Sequence, residues 1–164
     1  MSISFIRIDD RIIHGQIIVR WSKERPCDGI IAVNDRAASD PLLKATLKAA
    51  SDHRTLIFTR EEFAQRMADA IASDKRYFLI TKEPGTLAEI LARPGFAADV
   101  STINVGPQSA RPGTINVNIN ADLTAADGVA FHAIAALGWP VEFQLTPDAK
   151  LVRWSDVSSK FKEA

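Results

Sequence analysis

The sequence predicts an α/β protein, a doubly wound, mostly parallel open sheet with helices on both faces. Short apolar, β-branched runs alternate with stretches of helical spacing about six times along the chain, the pattern of a parallel sheet covered by crossover helices. The chain has 164 residues, a length that suits one domain able to bury its own core. Hydrophobic residues make up 46% and charged residues 24%, mixed throughout rather than blocked into tails, which is the balance of a folded globular protein.

The elements follow in order. Ile3 to Ile8 reads as a strand that stops at Asp9 and Asp10. After a loop, Ile17, Ile18 and Trp21 recur at helical spacing from Gly15 onward, and Pro26 ends the pattern. GIIAVN (Gly29 to Asn34) is a short buried strand. SDPLLKATLKAA is a helix with Ser39 as its cap and Pro41 in its first turn. RTLIFT and EEFAQRMADAIA repeat the strand-then-helix order, RYFLIT precedes the helix GTLAEILA, and TINVG follows a loop holding Pro94 and Gly95. TINVNIN is expected as another strand, TAADGVAFHAIAALG as a helix closed by Gly138, and VEFQL as the last strand. Residues 1–164 read as a single domain without repeats or linkers, and the polar segment 155–164 as a short helix or a loose tail.

Composition excludes several classes. Twenty basic residues balance twenty acidic ones, so no broad attraction to nucleic acid or an anionic membrane is expected and any anion site must be local. Cys27 is the only cysteine, which rules out an intramolecular disulfide and a cysteine-built zinc site and makes the cytosol the natural compartment. The N-terminus reaches Arg7 and its acids too early for a signal peptide, and no apolar run approaches the roughly 20 residues that span a bilayer. The expectation is a cytoplasmic protein.

In such sheets ligands sit at the carboxyl ends of the strands, where loops lead into helix N-termini. The first of these loops, within RIDDRIIHGQ, carries the most chemistry. At neutral pH one imidazole nitrogen of His14 is free to act as a nucleophile while the other holds a proton. The helix that follows offers free N–H groups and a partial positive charge to an anion, and Gly15 lets the backbone come close. Arg11 reaches the same space and forks around phosphate oxygens in a way lysine does not. Asp9 and Asp10 would repel a phosphate, so their task is either to orient Arg11 or to hold the imidazole N–H; Gln16 adds a further hydrogen bond. On residue types alone, a loop histidine is more often a solvent-facing group, and Asp9–Asp10 reads equally as a solvated turn.

Resemblance to a known family says more. RIDDRIIHGQIIVRW closely resembles the active-site segment of enzyme IIB components of the mannose/fructose/sorbose class of the bacterial sugar phosphotransferase system, whose pattern R-[IV]-D-x-R-L-[IL]-H-G-Q-V is met by Arg7, Asp9, Arg11, His14, Gly15 and Gln16. IIAVNDRAASDPLLK resembles the family's VVNDxxAxDxxxK stretch through Val33, Asn34, Asp35, Ala38, Asp40 and Lys44, INVG resembles its INVGGM segment, and LGWPVEFQLTPD its closing strand. The resemblance implies that His14 takes a phosphoryl group from enzyme IIA and hands it to a sugar presented by the membrane components IIC and IID. It also implies a protein peripheral to the inner face of the membrane through those components, with no cofactor and no metal; association with further copies of the chain stays open. Such a transfer needs in-line positioning and charge neutralisation, which one arginine and a helix terminus supply.

The sequence departs from the family after Gly106, where Pro107 and Gln108 replace a glycine and a methionine and SARPGT replaces the usual loop. Proline removes a donor and fixes φ, so this loop is shaped differently. It keeps a second function open, a regulatory binding module in which phosphorylation of His14 is a signal and no sugar is phosphorylated. Arg111 in that loop reads as a solvated arginine or as a second phosphate ligand. His53 reads as a surface residue, His132 as a packed or half-exposed one, Cys27 as a small buried residue, and Trp21, Trp139 and Trp154 as core or interface anchors. Asn34 and Asp35 read equally as a helix cap or as site residues. A response-regulator receiver would need an aspartate and a lysine where IFTRE and INVGP stand, and no G-x-G-x-x-G or phosphate-loop signature occurs.

Overall fold

The computed structural model describes residues 2–163. Its strands are β1 (Ile3–Ile8), β2 (Gly29–Val33), β3 (Arg54–Phe58), β4 (Tyr77–Thr81), β5 (Ile103–Val105), β6 (Ile115–Asn118), β7 (Ala121–Leu123), β8 (Val141–Phe143) and β9 (Val152–Arg153). The helices are α1 (Gly15–Ser22), α2 (Asp35–Ser39), α3 (Pro41–Ala49), α4 (Arg60–Ala72), α5 (Pro84–Leu91), α6 (Ala125–Ala136) and α7 (Trp154–Val157), with a 3-10 turn at Ser158–Lys160.

Seven strands form one sheet in the order β3-β2-β4-β1-β5-β8-β9. All its pairings are parallel except β8 with β9. Side chains alternate across it as the pleat requires. Phe5, Ile30, Ala32, Phe78 and Ile80 face Ile18 and Trp21 of α1, Ala37 of α2 and Leu47 of α3. Ile6, Ile8, Ile31, Val33, Leu79 and Phe143 face Phe63, Leu87, Ile90, Phe131 and Trp154 on the opposite side. Helices therefore cover both faces, as the alternation of elements predicts.

The strand order places the site. β1 lies in the middle, between β4 and β5. Its outgoing chain crosses through α1 toward β2 on one side, while β5 belongs to the half of the sheet on the other. Loops leaving β1 and β5 thus diverge and open a crevice at their carboxyl ends.

Two expectations are corrected and a third is refined. TINVNIN is a strand, but it pairs antiparallel with β7 in a separate two-stranded sheet; its Ile115 and Asn116 are exposed and only Val117 of β6 is buried. VEFQL is not the last strand, because β9 returns antiparallel along it. The cap of the PLLKATLKA helix is Asp40, not Ser39: its carboxylate accepts from the Leu42 and Leu43 N–H groups at 3.0 and 3.2 Å. Ser39 instead ends α2, a short helix capped by Asn34 through the Ala37 N–H at 2.9 Å.

Segment 155–163 takes the short-helix form, and Phe161 packs on Trp154 with ring centroids 5.5 Å apart. His132, on α6, donates from Nε2 to the Phe161 carbonyl at 3.0 Å. Removing a buried phenylalanine ring typically costs about 3–5 kcal/mol. Phe161→Ala is therefore expected to lower stability by about 3 kcal/mol, read as a shifted urea midpoint at unchanged slope; an unmoved midpoint would show that the C-terminal segment braces nothing.

Candidate functional site

A charge lies at the centre of the sheet. Arg7, on β1, is fully buried, on the same face as Phe5. Alternation along an extended chain puts residues i and i+2 on one side, so Asp9 stands beside it. The Asp9 Oδ2 accepts from Arg7 Nε at 3.2 Å and Nη2 at 3.1 Å. Arg7 Nη1 donates to the Asn104 Oδ1 of β5 and to the Gln144 carbonyl at 3.4 Å. Burial pushes the Asp9 carboxyl up and the Arg7 guanidinium down, and their mutual attraction opposes both shifts. Gly106 makes room for this group: a Cβ there would stand 2.1 Å from Arg7 Nη2.

The pair shapes the loop. Asp9 Oδ1 accepts the Arg11 N–H at 2.9 Å, and the Asp9 carbonyl accepts the Ile12 N–H at 2.9 Å. The chain then turns through Ile12 with φ 62°, a left-handed conformation that costs a β-branched residue about 1–3 kcal/mol. Burial of Ile12 and Ile13 in the core on the α1 face holds the turn closed.

His14 emerges as the N-cap of α1. Its Nδ1 accepts the Ile17 N–H at 3.4 Å, so that nitrogen presents its lone pair to the first turn of the helix, whose free N–H groups carry partial positive charge. Gly15 has a steric duty, since a Cβ would lie 2.2 Å from the Ala50 carbonyl oxygen at the end of α3. Gln16 and Arg11 are exposed, and the Arg11 side chain makes no hydrogen bond or ion pair among the described residues.

Of the residues named from the sequence, the loop thus gathers Asp9, Arg11, His14 and Gly15. The acids do something other than hold the imidazole. Asp9 is committed to Arg7 and touches Arg11 only through its backbone, and Asp10 Oδ2 accepts the Ser109 N–H at 2.7 Å and its hydroxyl at 2.5 Å. The divergent loop does border the site: the Pro107 carbonyl accepts the Asp10 N–H at 3.0 Å. Arg111 is exposed, as the solvated reading expects, but it is not free: it pairs with Asp127 at the start of α6 and donates to the Ser109 carbonyl at 2.8 Å. A cavity of about 450 Å³ lies between these loops, bordered by Asp10, Arg11, Lys82, Gln108, Ser109 and Arg111 among others.

Elsewhere His53 and Cys27, read as a surface and a buried residue, are both half-buried. Trp21 stacks on Phe5 and donates to the Leu145 carbonyl at 3.1 Å, and His53 bonds with Ser51. Burial pushes the Cys27 thiol up to about 11, which leaves it unreactive at neutral pH. No group of three or more metal-ligating side chains occurs among the described residues, and none of their helices is long and apolar enough to cross a membrane.

The profile of the family described as "PTS system sorbose subfamily IIB component" matches residues 3–164. The chain belongs to this family. It is similar to a probable phosphotransferase enzyme IIB component of Streptococcus pyogenes serotype M6, 34% identical over 106 residues that cover 63% of this chain and 65% of the relative. A fructose-specific EIIB component of Bacillus subtilis is 28% identical over 166 residues, covering 98% of this chain and 94% of its own. The mannose-specific EIIAB component of Escherichia coli is 28% identical over 162 residues, and the chain spans about half of it, 49%. Among solved structures, the IIBSor domain of the sorbose permease of Klebsiella pneumoniae superposes with a TM-score of 0.87 at 23% identity over all of both chains. An N-acetyl-galactosamine IIB component of Streptococcus pyogenes does so at 0.83 and 19%, covering 95% of this chain and 97% of its own. At those identities the likeness establishes the fold, and the sugars in these names belong to the relatives.

Sequence reasoning passed over Arg7 as a structural charge, along with Asn104, Ser109 and Lys82. The signal for the first was present: an arginine inside an apolar strand, two residues before an acid. Each single change in this IIB chain, Arg7→Met or Asp9→Asn, is expected to cost about 3–5 kcal/mol by leaving a buried charge alone. The double variant should cost less than their sum in denaturant titrations; additive losses would refute the coupling.

Proposed function

We propose that this chain is a phosphohistidine carrier: His14 takes a phosphoryl group from the phosphohistidine of an enzyme IIA partner and passes it to a sugar held by the membrane components IIC and IID. The observation that carries the reading is the position of the His14 ring, which caps α1 with Nδ1 turned to the Ile17 N–H at the carboxyl end of the central strand. Family membership supports the same chemistry.

Nδ1 is then the nitrogen that forms the P–N bond while Nε2 keeps its proton. As the donor's P–N bond breaks, charge on the moving phosphoryl oxygens is met by the first-turn amides of α1 and by Arg11, the unpaired cation of the loop. In the second step a sugar hydroxyl oxygen bonds to phosphorus as the P–N bond breaks, the hydroxyl proton passes to water, and the ring leaves as neutral imidazole. Asp9 contributes indirectly, by fixing the Arg11 backbone and absorbing the charge of Arg7, which keeps its carboxylate away from the phosphate. The protein works at the inner face of the membrane, held there by its partners.

Incubation with phosphoenolpyruvate, the general phosphotransferase proteins and a matching enzyme IIA is expected to add one acid-labile phosphate, detected by intact mass and absent from His14→Ala. Nitrogen-15 and phosphorus-31 NMR of the product should report the phosphate on Nδ1; phosphate on Nε2 would overturn the assignment of the reacting atom. Arg11→Ala is expected to fold normally and to slow transfer about 10²-fold, the usual effect of deleting one donor to a developing charge. Transfer at the wild-type rate would remove Arg11 from the mechanism.

A further inference from the structure

Two acids precede Arg11 in the chain, and neither pairs with its side chain. Asp9 is spent on Arg7 and on the Arg11 N–H. Asp10 adjoins Arg11 in sequence and borders the same cavity, so it is the acid best placed by the chain to compete for the guanidinium. Its Oδ2 is taken instead by Ser109, through the N–H at 2.7 Å and the hydroxyl at 2.5 Å. Its Oδ1 is closed off from solvent and has no hydrogen-bond partner among the described residues. The other carboxylates of the cavity wall are turned elsewhere. Asp127 pairs with Arg111 and accepts the Thr124 N–H at 2.9 Å. Glu83 accepts from the Asn34 amide at 3.5 Å, toward β2, which lies on the far side of β4 from β1. Arg11 is left without an ion pair among the described residues.

Ser109 is itself fixed on both sides. The Gln108 N–H donates to the Asn120 carbonyl at 2.9 Å and the Gln108 carbonyl accepts the Asp122 N–H at 2.8 Å, which stitches the loop after β5 to the β6–β7 hairpin. Beyond it, Arg111 donates to the Ser109 carbonyl at 2.8 Å while paired with Asp127. Ser109 is exposed, so the core does not need it, yet both of its donors go to one carboxylate oxygen. An unrestrained carboxylate beside a guanidinium closes on it in the forked manner these groups favour. A guanidinium engaged in that way has fewer donors left for a phosphoryl group.

We propose that Ser109 is a positioning residue for phosphoryl transfer: its two donors hold the Asp10 carboxylate off Arg11 and so keep that cation free for the moving phosphoryl group. The inference rests on the carrier reading, which gives Arg11 its task. It adds to that reading a residue from the loop after β5, where the sequence departs from the family pattern.

The test follows single-turnover transfer from a phosphorylated enzyme IIA to His14 by rapid quench, with unchanged dispersion of the amide NMR signals certifying each fold. Ser109→Ala removes the hydroxyl donor and is expected to slow transfer about tenfold, the size of one hydrogen bond to a charged group. Ser109→Thr, which keeps the hydroxyl, should recover most of the rate. In an Asp10→Asn background, where no charge competes for Arg11, adding Ser109→Ala should change nothing. In an Arg11→Ala background it should likewise add nothing to the loss, because residues that act through one another are not additive. A wild-type rate in Ser109→Ala overturns the inference. So does a slowing that persists beside Asp10→Asn, which would make Ser109 a plain brace of the loop, or one that persists beside Arg11→Ala, which would place its effect elsewhere. Each of these outcomes leaves the carrier reading intact as long as the wild-type chain is labelled at His14; a wild-type chain that takes no label loses that reading, and the positioning role with it.

Discussion

An arginine with no exposure to water stands in the middle strand of this sheet, and much of the site follows from satisfying it. A buried guanidinium is tolerated only when its donors are met and its charge is balanced. Asp9 supplies the charge, and Asn104 and the Gln144 carbonyl supply further acceptors. These partners come from three separate stretches, so neutralising one side chain ties β1 to β5 and to the loop after β8. Gly106 is the steric counterpart of the same demand.

That constraint reaches the chemistry through one carboxylate. Asp9 has two oxygens, one spent on Arg7 and one on the Arg11 N–H. The loop is thereby fixed at its first residue, bent through a strained isoleucine and buried by two apolar side chains, and it delivers His14 onto the first turn of α1. Strain of this kind persists only where the surroundings over-determine it. The buried pair below the loop and the hydrophobic contacts behind it meet that condition together, and they leave the ring and Arg11 accessible to another molecule.

Much of this was legible. The β1, β2 and β4 runs announce strands because both faces of a parallel sheet are apolar, and His14 stands out because a βα loop at a strand's carboxyl end is where ligands bind. TINVNIN is a strand, as read, but nothing local says which sheet it joins, and its alternating Ile and Val do not mark a core face, since only Val117 of β6 is buried. β9 has two residues and no pattern of its own, existing through its pairing with β8. Ser39 and Asp40 are both good caps, and the choice turns on Pro41: the cap is the residue directly before the proline at N1. The acids were misjudged for a different reason. Their partners, Arg7 and Ser109, are an interior strand residue and a residue about a hundred positions away, and only the first is within reach of periodicity.

The reach of Arg7 also bears on how the chain acquires its shape. Asp9 is its neighbour at once, but Asn104 lies 97 positions later and Gln144 137 positions later. During synthesis β1 emerges first of the strands, yet its partner β4 follows only near the middle of the chain, and β5 and the distant acceptors Asn104 and Gln144 come later still. Until then the guanidinium is more stable in water than in any partial core, which discourages premature burial of the strand that carries it. Long-range closure of this kind is slow, so the contacts that complete the central strand are costly ones to form. The loop bearing His14 takes its final form only when both halves of the sheet have closed on it, so a chain that stalls midway has the histidine but not the geometry around it.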